Sequence, residues 1–169
     1  MRRCDEQVRQ RAVQIAERHT QRTARMAALV DLLWENWSSD GLSWVGFYLD
    51  TGAVDATGRL VLGPRRDRPA CSPIGMHGAC GMCVIKKRPL VVEDVRRLGT
   101  QYIACDPLDQ SELVIPCFAP SGSIWGVLDL DSRRLGYFDS ESAVELSRLL
   151  LGAGLTTLDE SLALSPMCV

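Results

Sequence analysis

The chain has 169 residues, 46% of them hydrophobic, which is enough for one ordinary domain that holds its core without metal or disulfides. Charged residues make up 24% and the formal net charge is −2, with acids and bases mixed along the chain rather than gathered in a basic block, which argues against nucleic acid as a partner. No apolar run approaches the roughly 18 to 20 residues that cross a bilayer, and "MRRCDEQVRQRAVQ" has charges where a secretory signal needs an apolar stretch, so no membrane contact is expected and the protein reads as soluble and cytoplasmic.

From Gln7 to Trp37 there is no Gly or Pro, and Val8, Ala12, Ile15, Ala16, Met26, Leu29, Val30, Leu33 and Trp34 recur at three and four. This reads as one long amphipathic helix, with His19-Thr20 as the place where it would break and "SSDG" as its end. The period then changes to two. "LSWVGFYLD" (42–50) and "GRLVLGP" (58–64) form a hairpin around "TGAVDATG". A loop punctuated by Gly and Pro, "RPACSPIGMHGACG", leads into a short helix in "ACGMCVIKKR" that Pro89 terminates, then a strand in "PLVVEDV". "RRLGTQYIACDPLDQ" is irregular and polar. "SELVIPCFAP" and "SIWGVLDLDS" make a second hairpin, and a last helix begins where Asp139 or Ser140 can cap it, with Glu141 in its first turn.

Hairpin-linked strands between terminal helices predict an α+β fold: a single domain with a central antiparallel sheet and flanking N- and C-terminal helices. Residues 1–38 form the helical segment, 42–158 the core, and 162–169 a loose tail. The apolar stripe of the N-terminal helix makes it the expected dimer element.

Seven cysteines are many for a chain expected in a reducing compartment, where thiols are kept for catalysis, redox sensing or metal. Cys71, His77, Cys80 and Cys83 have donor types that suit tetrahedral zinc. Structural zinc sites, however, usually pair two C-x-x-C elements, and this chain has one, so no metal is expected. Cys83, followed by Val84 and Ile85, and Cys117, within "LVIPCF", read as small core hydrophobes. Cys4 and Cys168 lie near mobile ends. Cys71, Cys80 and Cys105 remain, each in an irregular loop where reactive groups are commonly placed.

Asp129 and Asp131, two apart on a strand, share a face with Val127 while Leu128 and Leu130 take the other. Two acids side by side raise the proton affinity of one unless a cation lies between them. With Glu112 on the neighbouring strand they would suit a ligand carrying an ammonium group; the plainer reading is a solvated strand face. Trp44 and Tyr48 share a face across Gly46, which reads either as core packing or as the wall of an apolar site.

The motifs "WVGFYL", "LVLGP", "AC…GACG", "VVEDV", "YIACD…SELVIP" and "GVLDLDS…FD", in this order over about residues 40–150, resemble the free methionine-(R)-sulfoxide reductases, enzymes built on a GAF domain. The resemblance implies a GAF-like fold, with Cys105 as nucleophile and Cys71 and Cys80 as resolving partners. It implies that Glu112, Asp129 and Asp131 hold and activate the substrate, and that Trp44 and Tyr48 pack on it. It further implies free methionine-(R)-sulfoxide as substrate, thioredoxin as reductant, a homodimer and no cofactor. The segment between Cys71 and Cys80 is one residue short of the usual spacing and brings His77 into the loop, which leaves open which of the two resolves. A non-enzymatic GAF sensor with the same pocket is the alternative; the chain carries no output domain or long coiled linker that would favour it.

Overall fold

The computed structural model describes residues 4–68, 70–101, 106–157 and 165–169, with the side chains of Thr100 and Gln101 excepted. The N-terminal amphipathic run is two helices rather than one: α1 (Glu6–Arg18), capped by Asp5, whose Oδ1 accepts the Val8 N–H at 2.9 Å, and α2 (Arg22–Trp37). The break has a physical cause. His19 is extended, and the Arg25 guanidinium reaches back to the carbonyls of His19 at 2.7 Å and Ala16 at 3.2 Å. A cationic side chain thus satisfies acceptors that the end of α1 leaves open.

After a 3-10 turn the chain enters β1 (Leu42–Asp50) and β2 (Leu60–Arg66), then α3 (Gly78–Lys86), β3 (Leu90–Val92), β4 (Ser111–Phe118), β5 (Ile124–Ser132), α4 (Ser140–Gly152) and β6 (Met167–Cys168). The six-stranded sheet has the order β2-β1-β5-β4-β3-β6. Every pairing is antiparallel except β3 with β6, which is parallel, so the sheet is mixed. Residues 165–169 are therefore not loose where the structure describes them: the Met167 N–H donates to Pro89 O at 2.8 Å and the Val169 N–H to Val91 O at 2.9 Å. The unpaired edge of β3 recruits them, because buried backbone groups need partners. α3 ends at Lys86, ahead of Pro89, because its C-cap, Lys87, adopts the left-handed conformation (φ 53°).

Alternation along the strands splits the core into two layers. Val45, Phe47, Leu113, Ile115, Cys117, Leu128 and Leu130 face α1, α2 and α4. Trp44, Tyr48, Val92, Val114 and Val127 face α3 and the segment before it. Each fully buried Leu or Phe of these layers contributes roughly 1.5–3 kcal/mol. The stripe of α1 and α2 (Val8, Ala12, Ile15, Met26, Leu29, Leu33) is spent on the chain's own first layer, and Arg9 locks α1 to α4 through Glu145 at 2.7 Å. It is not a free surface for a second copy. Cys4, expected at a mobile end, is buried in the same layer, whereas Cys168 is exposed. Among the described residues no helix is long and apolar enough to cross a membrane.

Candidate active site

Strand register brings the acids together. Across β1 and β5, Trp44 pairs with Asp131 and Gly46 with Asp129; across β5 and β4, Asp131 pairs with Glu112 and Asp129 with Val114. Paired residues of antiparallel strands share a face, so Glu112, Asp129, Asp131, Trp44 and Tyr48 all stand on the α3 side of the sheet. Glu112 and Asp129 are buried, and Asp131 is half-buried.

The rings form one wall, with centroids 6.2 Å apart. The Trp44 indole folds over Gly46, where a Cβ would lie 2.4 Å from the ring and 2.8 Å from Arg65 Cβ; only glycine leaves that space. The polar ends of both rings hold down the segment above the sheet. Trp44 Nε1–H donates to Arg68 O at 3.0 Å, and the Tyr48 hydroxyl donates to Cys71 O at 2.8 Å. Buried Trp and Tyr use their polar handles in this way.

From above, α3 delivers Cys80. Its approach depends on Gly81, where a Cβ would fall 2.0 Å from Met76 O. The Cys80 thiol donates to Asp129 Oδ2 at 3.4 Å, and Asp129 is also hydrogen-bonded to Glu112. Ligand-capable atoms of Cys80, Glu112 and Asp129 all lie within 4.8 Å of one another. Asp129 Oδ1 is buried with no hydrogen-bond partner among the described residues.

Burial dominates the electrostatics of this cluster. It lifts Asp129 to about 7, with hydrogen bonds from Cys80 and Glu112 pulling the other way. Burial and then the Asp129 charge push Glu112 well above the usual carboxylate range, and the same two causes push the Cys80 thiol well up. Asp131 is also raised well above its ordinary value, by burial and then by Asp129. Burial and the neighbouring Asp129 charge favour the proton on Glu112, from where it can be donated to Asp129, so the two acids share it. A buried site that holds a proton and a carboxylate together can both grip a cation and supply an acid.

Cys71 is exposed on the segment above the site. Cys83 and Cys117 are buried on opposite faces of the sheet, as core residues. His77 is exposed, and the four-residue zinc set of the sequence is not assembled: the described donor cluster takes Cys80 but none of Cys71, His77 and Cys83. Cys105 lies outside the described residues.

Sequence reasoning missed a neighbouring ionic group. Arg68 Nη2 lies 2.5 Å from Asp106 and 4.0 Å from Asp109, and Arg133 reaches Asp106 at 3.1 Å. Asp109 is buried and accepts the Ser43 hydroxyl at 2.7 Å; burial raises its proton affinity, whereas the Leu108 N–H first, then Arg133 and Arg68, keep Asp106 low. Since Arg68 O also receives the Trp44 indole, one residue links the aromatic wall to the position that follows Cys105. "RRDRP" offers three arginines at neighbouring positions, and nothing in their spacing says which one turns inward.

The GAF domain family model matches residues 6–151. The free methionine-R-sulfoxide reductase of Escherichia coli is 37% identical over 129 residues, covering 75% of this chain and 72% of the relative. That of Saccharomyces cerevisiae is 32% identical over 125 residues, covering 70% and 68%. The X-ray structure of free methionine-R-sulfoxide reductase from Neisseria meningitidis in complex with its substrate superposes with a TM-score of 0.74 at 29% identity, covering 91% of this chain and 94% of that one. The matched stretch covers 65% of the GAF domain-containing protein A of Dictyostelium discoideum, which is 40% identical over 108 residues.

Proposed function

Because the chain belongs to the GAF-domain family of free methionine-R-sulfoxide reductases, we propose that it reduces free methionine-(R)-sulfoxide to methionine with a cysteine nucleophile. The observation that carries the reading is the buried Glu112–Asp129 pair on one face with Asp131, under a Trp44–Tyr48 wall, without a cationic partner for Glu112 or Asp129 among the described residues. An amino-acid ammonium supplies that missing cation. A sulfoxide sulfur becomes electrophilic when its oxygen is protonated, and the pair holds a proton in reserve.

In the proposed sequence the Cys105 thiolate attacks the sulfur as the acid pair protonates the oxygen. Methionine leaves and Cys105 becomes a sulfenic acid. A second thiol then displaces water from it to form a disulfide, which thioredoxin reduces by exchange. Cys71 is the better resolving thiol: it is exposed and on an irregular segment, whereas Cys80 is buried on a helix with its thiol proton held against Asp129. Cys80 is then a polar floor of the pocket. A homodimer, as the resemblance implies, would have to use a surface other than the buried stripe of α1 and α2.

A coupled assay with thioredoxin, its reductase and NADPH tests this directly. Steady NADPH consumption is expected with the free R epimer, and little with the S epimer or a peptide-bound sulfoxide. Undiminished turnover by Cys105→Ser, or equal rates on the peptide, would refute the mechanism.

A further inference from the structure

The donor set at the pocket floor has chemistry that sulfoxide reduction does not use. Three elements, α3, β4 and β5, converge one thiol and two carboxyls to within 4.8 Å of one another in a buried position. In tetrahedral zinc, with Zn–S about 2.3 Å and Zn–O about 2.0 Å, sulfur and oxygen ligands stand about 3.5 Å apart. Cys80 Sγ and Asp129 Oδ2 stand 3.4 Å apart. An independent observation points to a ligand here: Asp129 is 6% exposed, and its second oxygen, Oδ1, has no hydrogen-bond partner among the described residues. A buried carboxylate oxygen without a donor is costly, and a metal ion is one way to satisfy it.

We propose that Cys80, Glu112 and Asp129 form a binding site for a thiophilic divalent cation of the zinc class, which closes the pocket to its amino-acid substrate. One thiolate and two carboxylates favour Zn²⁺ over Mg²⁺ or Ca²⁺, which prefer six or more oxygen ligands. Binding displaces the thiol proton of Cys80 and the proton shared by the acids. Water or Asp131, beside Glu112 in the register, fills the fourth position. The inhibitory part rests on the proposed function, since it takes Glu112 and Asp129 to be the groups that receive the substrate ammonium; the binding itself does not.

The test uses the full, reduced, tag-free chain titrated with Co²⁺ in the absence of substrate, read by the thiolate-to-cobalt charge-transfer band, followed by displacement with Zn²⁺. One equivalent of Co²⁺ should develop the band, and Zn²⁺ should remove it. The band should be lost in Cys80→Ser but kept in Cys71→Ser and Cys168→Ser, and Asp129→Asn, which keeps the side-chain shape, should bind at least about tenfold more weakly. In the coupled assay Zn²⁺ should raise the apparent KM for sulfoxide, with recovery on chelation. A band that survives in Cys80→Ser, unchanged affinity in Asp129→Asn, or no saturable uptake below about 100 µM would overturn the site. Cobalt uptake without any sulfoxide turnover would overturn the proposed function and leave the metal site standing.

Discussion

Replacing Asp129 by Asn should make the folded chain more stable above neutral pH while removing its activity. A carboxyl lifted from 3.8 to about 7 in the folded state corresponds to about 4 kcal/mol, at 1.36 kcal/mol per pH unit. The sign follows from linkage. The folded state binds this proton more tightly than the unfolded chain, so the stabilising contribution is complete below about pH 4, declines between about pH 4 and 7, and is absent above. Above about pH 7 the native state holds a charge that burial disfavours. Asn carries no such charge and can still accept a hydrogen bond from Cys80 or Glu112. If about half of the cost is recovered, the gain is about 2 kcal/mol, or about 4–8 °C in Tm for a chain of this size. Thermal unfolding of reduced wild type and Asp129→Asn, followed by circular dichroism at about pH 5 and about pH 8.5, checks it. The Tm gap should be small at the lower pH and positive at the higher. A variant no more stable at about pH 8.5 than wild type would refute the account of Asp129 as a destabilising buried carboxylate.

Gly46→Ala should push the Trp44 indole off its seat, because a Cβ would stand 2.4 Å from the ring; a loss of about 1–3 kcal/mol in urea unfolding and a raised KM for sulfoxide are expected. Glu112→Gln should raise KM for the free amino acid, measured in the coupled assay, whereas Cys83→Ala, on the same side of the sheet but in the packed core, should leave turnover intact and lower stability by about 1 kcal/mol. Asp139→Ala removes a capping box in which the Asp139 side chain accepts the Ser142 N–H at 2.7 Å, and should cost about 1 kcal/mol in urea unfolding without changing KM.

The readable part of the fold is the part governed by local chemistry. Asp139 caps α4 because a carboxylate before an apolar run satisfies open N–H groups, and the alternation of "SWVGFYLD" and "GVLDLDS" places Trp44, Tyr48, Asp129 and Asp131 on one face. Their common face follows from period two together with hairpin register. What the sequence hid depends on contacts distant along the chain. The break between α1 and α2 is held by Arg25, which also reaches the Gly154 carbonyl at 3.1 Å, a partner no local pattern reveals. β6 pairs with β3 across more than seventy positions, in a segment too short to show alternation. Arg68 joins the site through its carbonyl and guanidinium, after a turn where spacing carries no information about direction.

On the proposed function, the burial that makes the acid cluster costly is also what would allow it to discriminate. A carboxylate at the surface would pair as readily with water as with a substrate ammonium, and its contribution to binding would be about 1 kcal/mol or less. Under α3 and the Trp44–Tyr48 wall, Asp129 has few alternatives to the ligand. A peptide-bound sulfoxide would present a neutral amide at the same place and leave the buried acid uncompensated. Losing one partner of such a buried pair costs about 3–5 kcal/mol, a discrimination of more than a hundredfold against peptides. On the proposed function, the expected selectivity and the destabilisation removed by Asp129→Asn have one cause, the withdrawal of water from a carboxyl. A variant that regains stability by losing the charge must therefore also lose the preference for the free amino acid.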